Sequence, residues 1–335
     1  MGERDQDRER QAAVKAWLIR SALAASLLAV AGSACAQAWP SRPLRMTVGA
    51  SAGGTTDIVA RIVAAKLGER LGQQVVVENR AGAGGNLALD VVAKAPADGY
   101  TVAMAYSGLS INPVVMSSMP FDTLKDLAPV SLVATVQMFL IVDPGLKIGT
   151  VGQLVEQAKA NPGRLAIAAN ALASVSHLAA ELFKVRAGVD MPTLVYKGSS
   201  PALVDMLGGR VAAMFDTVPG ALPHVKSGKV RAIAIGSRAR SSLMLDVPTL
   251  AESGFPDIEI RSWYGVLATG GTPLAIIERL NAEISAIVRL PEIRERFAAQ
   301  SLDPVGGTPA EFGAFIRDEM IRWAGVARTA GIKLD

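Results

Sequence analysis

The strongest constraint on the fold is an alternation, sustained along nearly the whole chain, of short apolar, β-branched runs with helix-period stretches. Strands are predicted at residues 44–49, 74–78, 100–105, 130–142, 165–168, 193–196, 211–215, 230–235 and 263–268. Helical patterns fall between them, at 56–71, 87–94, 150–161, 176–187 and from Ser199 to Gly208. Such alternation argues for parallel sheets covered by helices. The boundaries have chemical causes. Thr150 with Gln153, and Thr308 with Glu311, have capping-box spacing, while Asn161-Pro162-Gly163 and Gly208-Gly209 stop helices. The tail is helical at 273–288, 291–300 and 308–330, with too few strands to stand alone. The pattern therefore resolves into two α/β lobes, with the tail helices returning to cover the first. The extended runs at 130–142, interrupted near Gln137, and at 263–268 are the expected crossovers. At 335 residues, half of them apolar, the chain can fill two cores. A cleft between such lobes collects the loops at the C-terminal ends of the strands.

Charge excludes one class of partner. The formal net charge is +4, from 34 basic and 30 acidic residues, with no basic run and no aromatics interleaved with Lys or Arg. Nucleic acid is not an expected ligand, and the small positive excess favours an anionic small molecule. Near the N-terminus, Lys15 and Arg20 lead into an apolar run at 22–31 that is too short to anchor in a bilayer. Ala34-Cys35-Ala36 then reads as a cleavage site before Gln37, with Ala36-Gln37-Ala38 as the close alternative. Residues 1–36 are accordingly read as a signal peptide. Cys35 is the sole cysteine. Lipid anchoring there is disfavoured, because Ser33-Ala34 precedes it without a Leu three positions upstream. Cleavage would leave a mature chain without thiols, suited to an oxidising compartment.

The stretch Ser51-Ala52-Gly53-Gly54-Thr55-Thr56-Asp57 follows the first strand and opens the first helix. Gly53 and Gly54 permit close backbone approach, and the free N–H groups at a helix start attract a carboxylate or phosphate without any cationic side chain. The same motif also serves as a plain strand-to-helix turn. Asp57 and the hydroxyls can cap the helix. Asp216 ends an apolar strand, where it can accept from a ligand amine or hydroxyl, or cap the next helix. Lys197 can meet an anion or remain a solvated turn residue. His177 follows Ser176 at a helix start, but no orienting group or oxyanion hole accompanies the pair. Gly82-Ala83-Gly84-Gly85-Asn86 is neither a dinucleotide fingerprint nor a phosphate-binding lysine loop. Two histidines without cysteines make no zinc site. No nucleophile stands out, so neither catalysis, cofactor nor metal is expected, and binding is favoured.

Taken together, several segments are specific. They are Trp39-Pro40-Ser41-Arg42-Pro43, Gly53-Gly54-Thr55-Thr56-Asp57, Val77-Glu78-Asn79-Arg80-Ala81-Gly82-Ala83-Gly84-Gly85-Asn86 and Ala97-Asp98-Gly99-Tyr100-Thr101. Further along come Ile111-Asn112-Pro113, Tyr196-Lys197-Gly198, Leu207-Gly208-Gly209 and Asp246-Val247-Pro248-Thr249. Over residues 39–333 the chain closely resembles the extracytoplasmic solute receptors of tripartite tricarboxylate transporters, the Bug family. The resemblance implies a two-lobed, periplasmic binding protein type II-like α/β fold with a ligand cleft between the lobes. Lobe 1 would comprise 39–135 and 267–335, and lobe 2 would comprise 136–266. It implies a monomer in the periplasm that closes on a small organic carboxylate or amino acid and delivers it to a membrane permease of the tripartite tricarboxylate type. The other implied role is a sensory partner that presents its ligand to a membrane signalling protein.

Carried over by position, ligand contacts in lobe 1 are Ser51, Gly53, Gly54, Thr55, Thr56, Asn86 and Ser107, and in lobe 2 Ser174, Lys197 and Asp216. Two departures from the family pattern matter. The family reads Pro-Phe-x-Pro-Gly-Gly before the first helix, where this chain has Gly49-Ala50-Ser51-Ala52-Gly53-Gly54. The second-lobe loop, usually rich in Ser and Gly, is Ala168-Ala169-Asn170-Ala171-Leu172-Ala173. Fewer donors and a looser loop imply a ligand other than a plain dicarboxylate, or one more apolar.

Overall fold

The strand-forming runs pair into a curled arrangement of ten strands, which the computed structural model describes for residues 39–332. The leader assigned to residues 1–36, Cys35 included, lies outside the described residues. In chain order, β1 (Leu44–Val48) runs into α1 (Thr55–Leu71), β2 (Val75–Asn79) into α2 (Asn86–Ala93), and β3 (Thr101–Tyr106) into α3 (Gly108–Val115). The long strand β4 (Leu127–Val142) is followed by α4 (Val151–Ala160), β5 (Ile167–Ala169) and α5 (Val175–Ala187). Next come β6 (Thr193–Val195), α6 (Ser199–Leu207), β7 (Ala213–Thr217), α7 (Val218–Lys226) and β8 (Arg231–Ile235). β9 (Arg261–Thr269), α8 (Leu274–Arg289), α9 (Pro291–Ala298), β10 (Leu302–Gly306) and α10 (Pro309–Ala330) complete the fold.

Strand β4 divides the molecule. From Leu127 to Gln137 it pairs antiparallel with β9, and over part of that length with β10. From Met138 onward it pairs antiparallel with β7, and from Phe139 with β8. The first lobe is built on β2-β1-β3-β9-β4 and the second on β4-β7-β5-β6. Among the described strand pairs, β1–β2, β1–β3, β5–β6 and β5–β7 are parallel and the others antiparallel. The sheets are thus mixed rather than parallel, because the crossing strand and its partners enter against the direction of the βα units.

Position 137 is where apolar continuity breaks. Beyond it both faces of β4 are buried, as strand periodicity requires when each face meets a core. Phe139 and Ile141 pack with Met206, Met214 and Val218, while Met138, Leu140 and Val142 pack with Leu154, Phe183 and Phe215.

One crossover differs from expectation, and two elements were not expected. β9 stays wholly within the first sheet, so Arg261–Val266 pair there and do not cross; Arg261 is opposite Gln137. The return crossing lies upstream, where the Gly236 N–H donates to the Met138 carbonyl and the Ile260 N–H donates to the Gly236 carbonyl. Helix α3 was not anticipated: it is short, contains Pro113 and is buried nearly all round, so it has no polar stripe to reveal its period. Strand β10 carries Pro304 and Gly306, residues that argue against a strand except at an edge, which is where it lies.

In the first lobe Trp263, Leu267, Leu109 and Ala105 pack under Phe312 and Ile316 of α10. Gly265 allows this: a Cβ there would overlap the Phe312 ring, which lies edge-on to Trp263 at 5.6 Å. Helix α10 does more than cover the first lobe. Its last turns bury Trp323 and Ala327 in a core shared with Ile111 and Val115 of α3 and with Leu178 and Phe183 of α5.

Candidate ligand-binding site

The β1–α1 loop is held by its neighbours, not by its own hydroxyls. A Cβ on Gly49 would sit 2.6 Å from the Gly85 Cα, so the loop and the glycine turn of residues 82–85 meet backbone to backbone. Gly53 adopts φ +80°, the left-handed region that favours glycine. Asp57 does not cap α1. Its carboxylate reaches back to accept the Gly53 N–H at 2.9 Å, accepts Asn79 Nδ2 at 2.9 Å and receives Arg61 Nε at 3.0 Å. Asn79 Nδ2 also donates to the Ala50 carbonyl at 3.0 Å. Burial alone would raise the Asp57 pKa, but the Arg61, Gly53 and Asn79 hydrogen bonds outweigh it and the net direction is downward. Asp57 is therefore an anion that fixes loop shape. Gly54 occupies the N-cap of α1, and no side chain caps that helix.

Across the cleft, β7 ends at Thr217, which is the N-cap of α7, and its side chain does not cap that helix either. The Thr55 and Thr217 hydroxyls lie 3.5 Å apart, one from each lobe. Beside them stands Tyr264 of β9, close to Thr55 and within the field of Asp216 and Tyr106. Tyr264 and Tyr106 are register partners on adjacent strands. Burial pushes the Tyr106 phenol up to about 12 and raises Tyr264 as well, so both remain neutral donors. Asp216 is fully buried: its Oδ1 accepts Ser199 Oγ at 2.7 Å and the Thr217 N–H at 2.9 Å. Burial lifts its pKa to about 6, against the lowering effect of those two bonds. Two helix starts, the hydroxyls of Thr55, Thr217 and Tyr264 and the Asp216 carboxylate thus share the cleft floor, close to the point where β4 passes between lobes.

The residues expected from the sequence separate clearly. Thr55 and Asp216 come together on that floor, and Ser51, Gly53 and Gly54 are exposed on the adjoining loop. Thr56 is buried in the first turn of α1. Asn86 is spent internally: Oδ1 accepts Asn112 Nδ2 at 2.7 Å, and Nδ2 faces the sulfurs of Met116 and Met119 at 3.4 Å. Ser107 is completely buried, 2.9 Å from Ser262 Oγ and accepting the Trp263 N–H at 3.1 Å. Neither offers a free polar group in this arrangement. Ser174 caps α5, accepting the His177 N–H and donating to the Ala171 carbonyl. Lys197 is exposed, beside Gly198, whose N–H bonds the Asn170 carbonyl. His177 is buried, and that burial lowers its pKa despite nearby Glu181, so its ring is neutral.

Thr217 and Tyr264 were not anticipated. Thr217-Val218-Pro219 carries an N-cap signature that points to Thr217, whereas nothing local in Ser262-Trp263-Tyr264 reveals that its strand pairs with β3. A separate crevice behind the glycine turn, lined by Gly49, Gly85, Leu89 and Tyr106 among others, encloses about 10 Å³, room for roughly one water and no organic acid.

The family described as "Tripartite tricarboxylate transporter family receptor" matches residues 59–332. The chain belongs to this receptor family. Its relatives include the protein BugT of Bordetella pertussis, 45% identical over 307 residues, covering 91% of this chain and 94% of that one. Among solved structures, R. palustris Rpa4515 with adipate is 37% identical with a TM-score of 0.85, over 88% of this chain and 99% of that chain. MatC from Rhodopseudomonas palustris with bound malate is 29% identical with a TM-score of 0.78, over 86% and 99%. These receptor-family neighbours share the two-lobed α/β architecture of periplasmic solute-binding proteins.

Proposed function

We propose that this receptor captures a small carboxylate-bearing molecule in the periplasm and delivers it to a membrane permease of the tripartite tricarboxylate type, acting as a monomer once residues 1–36 are removed. The observation that carries this reading is the meeting of two helix starts from opposite lobes at Thr55 and Thr217, neither closed by a side-chain cap. Their N–H groups and dipole ends favour an anion between them. Adipate and malate in the family neighbours support the ligand class.

Charge-assisted hydrogen bonds contribute roughly 1.5–3 kcal/mol each. Three or four of them, less the cost of ordering, correspond to affinity on the order of micromolar. Contacts made to both lobes favour the closed form, and closure is what a permease would read. The test is a thermal-shift panel of mono- and dicarboxylates, hydroxy acids and amino acids. At about one hundred times Kd the stabilisation is ~2.7 kcal/mol, a rise of ~4 °C for a chain of this size. Thr217→Val should remove most of the shift without changing the unliganded melt. A panel with no shift refutes the carboxylate reading.

A further inference from the structure

One polar atom on the cleft floor is not accounted for by the fold. Asp216 Oδ1 is satisfied by Ser199 and Thr217, but Oδ2 is buried and has no hydrogen-bond partner among the described residues. A buried carboxylate oxygen without a donor is costly. The groups packed around it are Ser199 of α6, Thr217 and Gly220 at the start of α7, and Tyr264 of β9. None is a cation, and no Lys, Arg or His among the described residues makes an ion pair with Asp216. Gly220 keeps α7 clear of it, since a Cβ there would come within 2.9 Å of Oδ2.

We propose that Asp216 Oδ2 is the seat for a protonated amine on the bound molecule, so that the ligand is an amino acid and not an unsubstituted dicarboxylate. This rests on the carboxylate-receptor reading above. The geometry suits the two ends of an amino acid. The helix starts at Thr55 and Thr217 take the carboxylate, and Asp216, one residue before Thr217, takes the ammonium. A dicarboxylate without an amine would set a second negative charge beside an uncompensated one. An ammonium would instead donate to Oδ2 and neutralise it, turning a cost of the unliganded fold into affinity. The raised proton affinity of Asp216 is what an unpaired buried carboxylate should show.

Three matched pairs test this by calorimetry at pH 8: L-aspartate and succinate, L-glutamate and glutarate, L-2-aminoadipate and adipate. In at least one pair the amine-bearing member should bind on the order of tenfold tighter or more. Asp216→Asn should abolish that preference while the unliganded protein still melts cooperatively, and loss of the negative charge at 216 should improve binding of the deaminated member. Wild-type binding of the deaminated member equal to or tighter than its matched amine in every pair that binds overturns the proposal and leaves the receptor reading intact. A preference that survives Asp216→Asn also overturns it. Malate preferred over succinate, with the preference lost in Asp216→Asn, would assign a hydroxyl in place of the ammonium. If none of the six binds and the wider panel is also silent, both readings fall.

Discussion

Asp57→Ala should loosen the binding loop while leaving the rest of the molecule nearly intact. The carboxylate is buried but its partners are unequal. Gly53 and Arg61 are exposed and can turn to water when the acceptor goes, and Asn79 Nδ2 keeps its bond to the Ala50 carbonyl. The global loss is then about one to two net hydrogen bonds, ~1–2 kcal/mol. An unfolding entropy of roughly 0.6 kcal/mol per degree for a chain this long makes that a drop of ~2–3 °C in Tm. Locally the effect is larger, because Gly53 at φ +80° loses the acceptor that selects its conformation. Hydrogen exchange measured by mass spectrometry on peptides spanning 50–57 should quicken on the order of tenfold, with peptides from β4 and β9 unchanged. Asp57 also predicts a direction with pH. Its folded pKa lies below the ordinary carboxylate value, so its stabilisation is present above the unfolded pKa and is lost as pH falls through the folded one. Asp57→Ala should flatten that part of the acid limb. Unchanged exchange in the loop, or a Tm drop beyond ~5 °C, would refute the anchoring argument.

Gly265→Ala should cost ~2–3 kcal/mol, since Phe312 is wedged against Trp263 and cannot retreat from a new methyl; Phe312→Leu in the same chain should recover part of the loss in a double-mutant cycle followed by urea unfolding. Gly49→Ala should reduce the thermal shift given by any carboxylate that binds the wild type, because the new Cβ meets the Gly85 backbone and drives the two loops apart. Asp216→Asn should raise the unliganded Tm at pH 8 more than at pH 4. The Asp216 pKa is raised to about 6, so its contribution is full below the unfolded value and is lost as pH rises through about 6, a difference on the order of 2–3 kcal/mol.

What the sequence disclosed follows from the range over which its signals act. The β1–α1 loop, the caps at Thr150 and Thr308, and the break at Gln137 are local, and each sits where its residue chemistry places it. Strand partners are not local. Trp263-Tyr264-Gly265 reads as an apolar run in any register, so neither the place of β9 in the first sheet nor the pairing of Tyr264 with Tyr106 was legible. Ser107 and Asn86 mark a related limit. Their position at the ends of β3 and the glycine turn is visible in the chain, but not that Ser262 and Asn112 consume their polar atoms. The same hydroxyl serves as ligand contact or as internal strut according to what folds against it.

The placement of α10 bears on how the cleft can close. Among the described residues two chain crossings join the lobes, one in β4 at Gln137–Met138 and one at Ile260–Arg261, where the Ile260 N–H bonds the Gly236 carbonyl. A pure hinge would leave the back of the molecule free to part. Instead, Trp323 and Ala327 share a core with α3 and α5, and Arg322, held in place by buried Glu319 of the same helix, fastens α10 by donating to the Glu259 carbonyl. Any rotation of one lobe must bend β4 near Gln137 and also slide α10 across α5. Packed helices resist separation but tolerate small sliding, so the permitted motion pivots at the back and opens only the face that carries Thr55 and Thr217. Trp323→Ala removes the largest side chain from that seam. It should lower Tm by an amount equivalent to ~3–5 kcal/mol and widen the distance distribution between spin labels placed on the two lobes. A distribution as narrow as that of the wild type would mean that the two crossings alone set the hinge.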